Sequence, residues 1–482
     1  MAKSSELKQH TLKGLKWSFL DNALNQGIRF ILGLVLARLL TPYDFGIIGI
    51  ALIFVSISED IVDGGFTNAL IQKKTPSPVD YSTVFVTNLV FSAVLYAVLF
   101  LLAPHIAVFF NNPQLTSVIR VISVILLIDA FMFVAKVRLT KDLDFKRLAK
   151  ISVSSSVISG VVGIIFALSG FGVWSLVFQQ LTRHLLNTSL LWFTNKGGLS
   201  VRFSKKSFTS LFSFGSKLLI TDLTISIYNQ LVNVVVGKCY SPATLGQYSR
   251  AHQFSGLFSS TLNQIIQRVS YPALSKIQDD YERLLRAYRE LIKTTSFVVF
   301  SLMLFLAAIA EPLITVLIGN KWLECVPYLQ LLCFSRMLQP LLSINMNIFK
   351  VKGRSDLCLK LELTKRLLDI FSIALGILVS IYWMLIGSII VNIVAYLLNV
   401  YYSSRLLGYT MKRQLKDITP ALMVAGLVSI LVFLPIYISH QYYVILPIQI
   451  LVWLVMLIIV SETIKLDGYL YIKTILKEHV RL

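Results

Sequence analysis

Apolar runs of about 20 residues, parted by short polar turns, recur from one end of this chain to the other. No other feature limits the fold as much. A helix of ~20 apolar residues spans the ~30 Å of hydrocarbon in a bilayer. Only 14% of the 482 residues are charged and 56% are hydrophobic, too little charge to cover a soluble molecule of this length. The runs and their breakers predict an all-α polytopic membrane protein with about fourteen transmembrane helices.

The formal charge of +21 follows the same pattern. Lys and Arg crowd alternate turns: Lys73 and Lys74, the stretch from Lys136 to Lys150, Lys276 to Arg289, Lys350 to Arg354, and Lys412 to Lys416. The intervening turns hold only Lys238 and Lys321. This positive-inside asymmetry puts both termini in the cytoplasm. Because the cations alternate with spans, it argues against a nucleic-acid surface. The opening "MAKSSELKQHTLKGLKW" is read as a retained amphipathic segment, because no A-x-A cleavage site follows it. Two further segments are expected to lie along the inner leaflet: the stripe Tyr281, Leu284, Leu285, Tyr288, Leu291, and the tail from Asp467 to Leu482. Cys239, Cys325, Cys333 and Cys358 form no C-x-x-C pair and predict neither a metal site nor a disulfide framework.

The chain also echoes itself. "LARLLTPYDFG" from Leu36 to Gly46 matches "VGKCYSPATLG" from Val236 to Gly246, with Arg38 over Lys238, Pro42 over Pro242 and Gly46 over Gly246, 200 residues on (246 minus 46). "PHIAVFFNN" from Pro104 matches "PLITVLIGN" from Pro312, 208 residues on (312 minus 104). A six-helix unit therefore occurs twice. Six is even, so both copies run the same way, related by an axis along the membrane normal. The expected organisation is an N-terminal lobe over 1–195, a cytoplasmic linker over 196–208 and a second lobe over 209–405. Helices thirteen and fourteen follow over 414–465, then an interfacial cytoplasmic tail over 466–482. Two like-oriented bundles around a central cavity suit an alternating-access carrier, and no filter-like loop suggests a channel.

Several stretches resemble one family: "ARLLTPYDFGIIGIA", "DGGFTNALIQKK", "GFGVWSLV", "LGQYSRAHQFSGLFSSTLNQIIQRVSYPALS" and "QDDYERL". They are similar to the polysaccharide-exporter branch of the multidrug/oligosaccharidyl-lipid/polysaccharide (MOP) flippase superfamily, over roughly residues 10 to 410. The resemblance implies a flippase of the bacterial cell (inner) membrane. Its substrate would be a polyprenyl-diphosphate-linked oligosaccharide, moved from inner to outer leaflet for O-antigen (lipopolysaccharide), capsule or exopolysaccharide export. A polysaccharide polymerase or export machinery would be its partner beside the bilayer. The resemblance transfers no site residues.

Site residues are instead read from charges inside spans, where each costs ~2.5–3.5 kcal/mol on insertion scales and asks for a reason. A diphosphate needs cations in a wet cleft, and the planar fork of Arg holds two phosphate oxygens at once. Arg29 is the first choice, followed by Arg183, Lys217 and Arg250. Asn22, Asn25 and Gln26 form a polar stripe with Arg29 for sugar hydroxyls, and Tyr228, Asn229, Gln230 and Asn233 occupy the equivalent part of span seven. Coupling to H⁺ or Na⁺ is assigned to Asp21, Asp60, Asp63, Asp129 or Asp222, with Glu59 beside them. The competing structural reading is that such charges satisfy one another, as in Arg366 with Glu362 one turn apart.

No G-x-x-x-x-G-K-[ST] or H-E-x-x-H motif is present, and no cofactor or catalytic residue is predicted. A glycan polymerase or ligase would be expected to carry a large outer loop with catalytic Arg and His, whereas the outer turns are short. The open alternative is an ion-coupled small-molecule or drug exporter of the same superfamily. Its cavity should be acidic, whereas the cations placed at mid-depth match or outnumber the acids.

Overall fold

The computed structural model describes residues 24–194, 202–437 and 441–480, and among them every regular element is helical. Among the described residues, each of the fourteen expected spans is met by one helix or by two consecutive ones, the first from residue 24 onward. Spans two and four are pairs, Pro42–Asp63 with Phe66–Gln72 and Gln114–Ile122 with Val124–Lys141. Spans nine and ten are pairs too, Tyr281–Ala308 with Ala310–Ile318 and Cys325–Arg336 with Gln339–Val351. Among the described residues, nine helical stretches are long and apolar enough to cross a membrane by themselves. Others, such as Val173–Thr194 with Arg183, His184 and Asn187, carry too many polar groups along one face.

Local chemistry sets the helix ends. Thr41 and Ser77 each cap a helix with a proline in its first turn, and Asp44 and Asp80 return the bond to the cap backbone. These reciprocal boxes satisfy N–H groups that a helix start leaves orphaned. Asp80 also holds the Lys73 Nζ at 2.7 Å. Span two breaks at Gly64 and Gly65, whose φ values of 53° and 71° lie in the left-handed region that glycine tolerates. A Cβ at Gly65 would collide with the backbone of Gly215 on the Lys205–Cys239 helix, so the break also permits a close helix crossing.

The chain divides into two compact units, Met1–Gly246 and Gln247–Leu482. In the first, the starts of the Pro42–Asp63 and Pro242–Ser275 helices cross so closely that a Cβ at Gly46 would overlap the Pro242 carbonyl, and one at Gly246 the Pro42 carbonyl. The residues that echo in the sequence are thus the two sides of one reciprocal contact.

In the second unit the core runs along Tyr281–Ala308. Leu284, Tyr288 and Ile292 are wholly buried with Leu341, Ile344, Ile348, Val400 and Leu407. This corrects the expectation of an interfacial segment at 281–291: Asp280 caps a single helix that continues into span nine. Its apolar stripe faces protein because Arg289 and Tyr409 meet on Asp417 above it. Met411–Phe433 and Tyr442–Thr463 dock on the same unit, with Phe305 stacked on Trp453 at 4.3 Å and the Gln449 Nε2 donating to the Val432 carbonyl at 2.9 Å. The Asp467–Val480 helix is tied to span nine by Lys293 to Asp467 and by Phe297 against Tyr469.

Candidate functional site

Within the first unit, spans one, two, four, five and six enclose a pocket of about 440 Å³. Span two supplies Glu59, Asp60 and Asp63 just before its glycine break, and Thr67 just after it. The break lets Thr67 turn back on Asp63, donating from Oγ1 at 2.7 Å and from its backbone N–H at 3.3 Å. Span four contributes Asp129 and Lys136, span five Ser152, Ser155 and Ser156, and span six Arg183, His184 and Asn187. Arg29 of span one completes the wall.

The centre is a chain of contacts. The Arg183 Nη2 lies 3.1 Å from the His184 Nε2, and the His184 Nδ1 lies 2.8 Å and 3.0 Å from the two carboxylate oxygens of Asp129. A guanidinium only donates and a carboxylate only accepts. An imidazole with its hydrogen on Nδ1 satisfies both contacts, donating to Asp129 and accepting from Arg183. Ligand atoms of Glu59, Asp129 and His184 all lie within 4.8 Å of one another, so these three could hold a cation if the imidazole gave up one of those contacts.

Of the residues proposed for a diphosphate, the pocket brings together Arg29 and Arg183. Lys217 is exposed and outside this wall. Arg250 belongs to the second unit, where it is 9% exposed, bonded to Gln253 and packed near the Trp322 ring. Asp60, Asp63 and Asp129 line the pocket, whereas Asp222 is exposed and outside its wall. Asn25 is buried and accepts from the Ser156 Oγ at 3.2 Å, directly behind the pocket wall, and Gln26 is exposed. On span seven the Gln230 Nε2 donates to the Ser56 Oγ at 3.2 Å and the Asn233 Nδ2 to the Gln230 Oε1 at 2.8 Å, beside half-buried Tyr228 and exposed Asn229. Asp21 and Asn22 lie outside the described residues.

Sequence reasoning passed over His184, because one histidine with no motif around it carries no signal except its place beside Arg183. The count of acids and bases also evens out here. Four carboxyls (Glu59, Asp60, Asp63, Asp129) face four basic side chains (Arg29, Lys136, Arg183, His184) in this pocket. Its charge balance therefore does not separate a glycolipid carrier from an exporter. The expected i,i+4 pair of Arg366 with Glu362 forms at 2.8 Å.

A family model described as "Polysaccharide biosynthesis protein" matches residues 35–327. The lipopolysaccharide biosynthesis protein WzxC of Escherichia coli (strain K12) is 26% identical over 376 residues, 77% of this chain and 76% of that one. The succinoglycan biosynthesis transport protein ExoT of Rhizobium meliloti (strain 1021) is 26% identical over 324 residues, 67% of this chain and 66% of that one. Among solved structures, the lipid II flippase MurJ in its inward closed conformation superposes with a TM-score of 0.70 at 16% identity, over 94% of this chain and 99% of that one. That likeness is one of fold.

Proposed function

The chain belongs to the polysaccharide biosynthesis protein family, and on that premise we propose that it is a flippase for a polyprenyl-diphosphate-linked oligosaccharide, moved from the inner to the outer leaflet by alternating access. It would act in a bacterial inner membrane with both termini in the cytoplasm, for the export of O-antigen, capsule or exopolysaccharide. The relatives named for lipopolysaccharide and succinoglycan biosynthesis support the substrate class. The single observation that carries the chemistry is the pairing of Arg29 and Arg183 in one intramembrane pocket.

An intramembrane guanidinium costs enough to need a purpose, and two in one wall match the two phosphates of the carrier lipid. A guanidinium has five N–H donors, of which His184 takes one from Arg183. Asp129 and His184 give the same pocket a group that exchanges a proton or a cation next to the anion site. Protonating the His184 Nε2 would replace its acceptor lone pair with an N–H and release Arg183 toward substrate. This would couple the two ligands through their competition for one side chain.

The reading is tested on cells that lack the chain, by following the lipid-linked repeat unit with a membrane-impermeant glycan label. Inward-facing substrate should accumulate, and restoring the chain should reverse it. Arg183→Ala at normal membrane abundance should not restore labelling, and Arg183→Lys should restore part of it. Unchanged outward labelling in the deletion refutes the flippase reading. Full restoration by Arg183→Ala refutes the assignment of the site.

A further inference from the structure

The second unit contains a pocket of about 410 Å³, within the ~300–1,000 Å³ usual for small-ligand sites. It is the internal repeat of the ionic pocket. Leu143 and Gly353 both adopt positive φ at the end of their helices, at 56° and 68°, 210 residues apart (353 minus 143). The bonds closing those turns, from the Asp144 N–H to Leu139 and from the Arg354 N–H to Phe349, keep the same spacing.

At that spacing Asp129, Met132, Phe133, Lys136, Val137 and Thr140 of the first pocket become Gln339, Leu342, Ser343, Met346, Asn347 and Lys350, and all six line the second. On span five, Ser152 and Ser155 become Glu362 and Lys365, again both in the wall. On span two, the 200-residue spacing of the Pro42 and Pro242 helix starts turns Asp63 and Thr67 into Asn263 and Gln267, also both in the wall.

The two copies place their charge differently, with Lys350, Glu362 and Lys365 where the first has Thr140, Ser152 and Ser155. Carboxylates at 63 and 129 are replaced by carboxamides at 263 and 339, and Asn347 and Asn399 add two more. A carboxamide donates and accepts without charge, which suits hydroxyl groups rather than ions. These amides do not satisfy one another. Asn399 is only 4% exposed, and its Nδ2 donates to the Ala395 carbonyl at 2.8 Å while its Oδ1 has no partner. The Asn263 Oδ1 is buried without a partner as well. Buried acceptors left unmade are costly, and a small turn of either amide would offer its oxygen to a donor in the cavity.

We propose that this pocket, walled by Asn263, Gln267, Gln339, Ser343, Asn347 and Asn399, is a subsite for a sugar ring of the transported glycolipid, its hydroxyls donating to the Asn263 and Asn399 oxygens. The proposal rests on the flippase reading and assigns the glycan to the second copy of the pocket, whereas the first copy holds the paired arginines. A hydroxylated phospholipid headgroup shares this hydrogen-bonding chemistry, and the test separates the two sources.

Cells producing the polysaccharide are fed tritiated N-acetylglucosamine and galactose and express the full chain with photoreactive p-benzoylphenylalanine in place of Ser343, or of its repeat partner Phe133. Irradiation should yield a tritium-bearing glycolipid adduct at Ser343. Adding Asn399→Ala or, at an exposed position that leaves packing untouched, Gln267→Ala should lower its yield about tenfold through lost hydrogen bonds. Tritiated adduct at Phe133 with none at Ser343 overturns the proposal and leaves the flippase reading standing. A phospholipid adduct without tritium at Ser343, or a yield indifferent to both substitutions, also overturns it. An absence of tritium at both positions, together with unchanged leaflet labelling in the deletion strain, overturns the flippase reading and the proposal with it.

Discussion

Replacing Gly46 by alanine should destabilise the first unit, although alanine is the better helix former. Gly46 is the fifth residue of the Pro42–Asp63 helix, and in an ordinary helix the exchange would gain ~0.5–1 kcal/mol. Here the new Cβ would overlap the Pro242 carbonyl. That neighbour is backbone, so no side chain can rotate away and the two helices must move apart. Overpacking of this kind costs ~1–3 kcal/mol. Gly49, one turn along, provides the control. Its added Cβ would meet only the Leu245 Cδ2 at 3.7 Å, an ordinary contact, so Gly49→Ala should be neutral or stabilising. The propensity gain is common to both, so the two variants should differ by ~1–3 kcal/mol, or roughly 2–12 °C in unfolding midpoint for a unit of this size. Intrinsic-fluorescence melting of the detergent-solubilised chain measures this. Gly246→Ala, which would strike the Pro42 carbonyl, should behave like Gly46→Ala. The double variant should cost less than the two singles together, because one separation relieves both collisions. Equal or higher stability of Gly46→Ala relative to Gly49→Ala would refute the reciprocal-crossing argument.

Asp80→Asn should cost ~2–4 kcal/mol in the same melting assay, because the nearly inaccessible Asp80 carboxylate caps Ser77 and pairs with Lys73 at 2.7 Å. Lys73→Met, at a half-buried partner, should cost less, and the reverse order would show that the cap is not the source of the stability. Asp129→Asn keeps an oxygen to accept from the His184 Nδ1, now at 2.8 Å, but removes the charge. Leaflet transport by this variant should no longer respond to collapse of the H⁺ and Na⁺ gradients, and a response equal to that of the unaltered chain would remove coupling from this pocket. Gly65→Ala, at φ 71° and against the Gly215 backbone, should lower the midpoint by several degrees through ~1–2 kcal/mol of backbone strain added to the steric clash.

Much of this molecule is legible before any coordinates. Apolar runs long enough to cross hydrocarbon admit only helices here, so among the described residues every expected span is met by helix. The paired landmarks at Pro42/Gly46 and Pro242/Gly246 announce a duplication because close helix crossings restrict residue identity at a few fixed points. Single intramembrane charges are equally visible, since their cost demands a reason, and Arg29, Asp129 and Arg183 stand out on that ground alone.

Which charges share a pocket is not a local property. Asp129 and His184 are 55 positions apart and meet because spans four and six pack side by side. Lys217 and Arg250, just as conspicuous in the chain, do not join them. His184 acquires meaning only from its two neighbours, and Ser343 and Asn399 only from a cavity that repeats another at a shifted register. Periodicity and cost per residue determine spans and suspects. Only the packing of helices distant in sequence decides which suspects face one another, because a pocket is defined by distances across elements that no spacing along one element encodes.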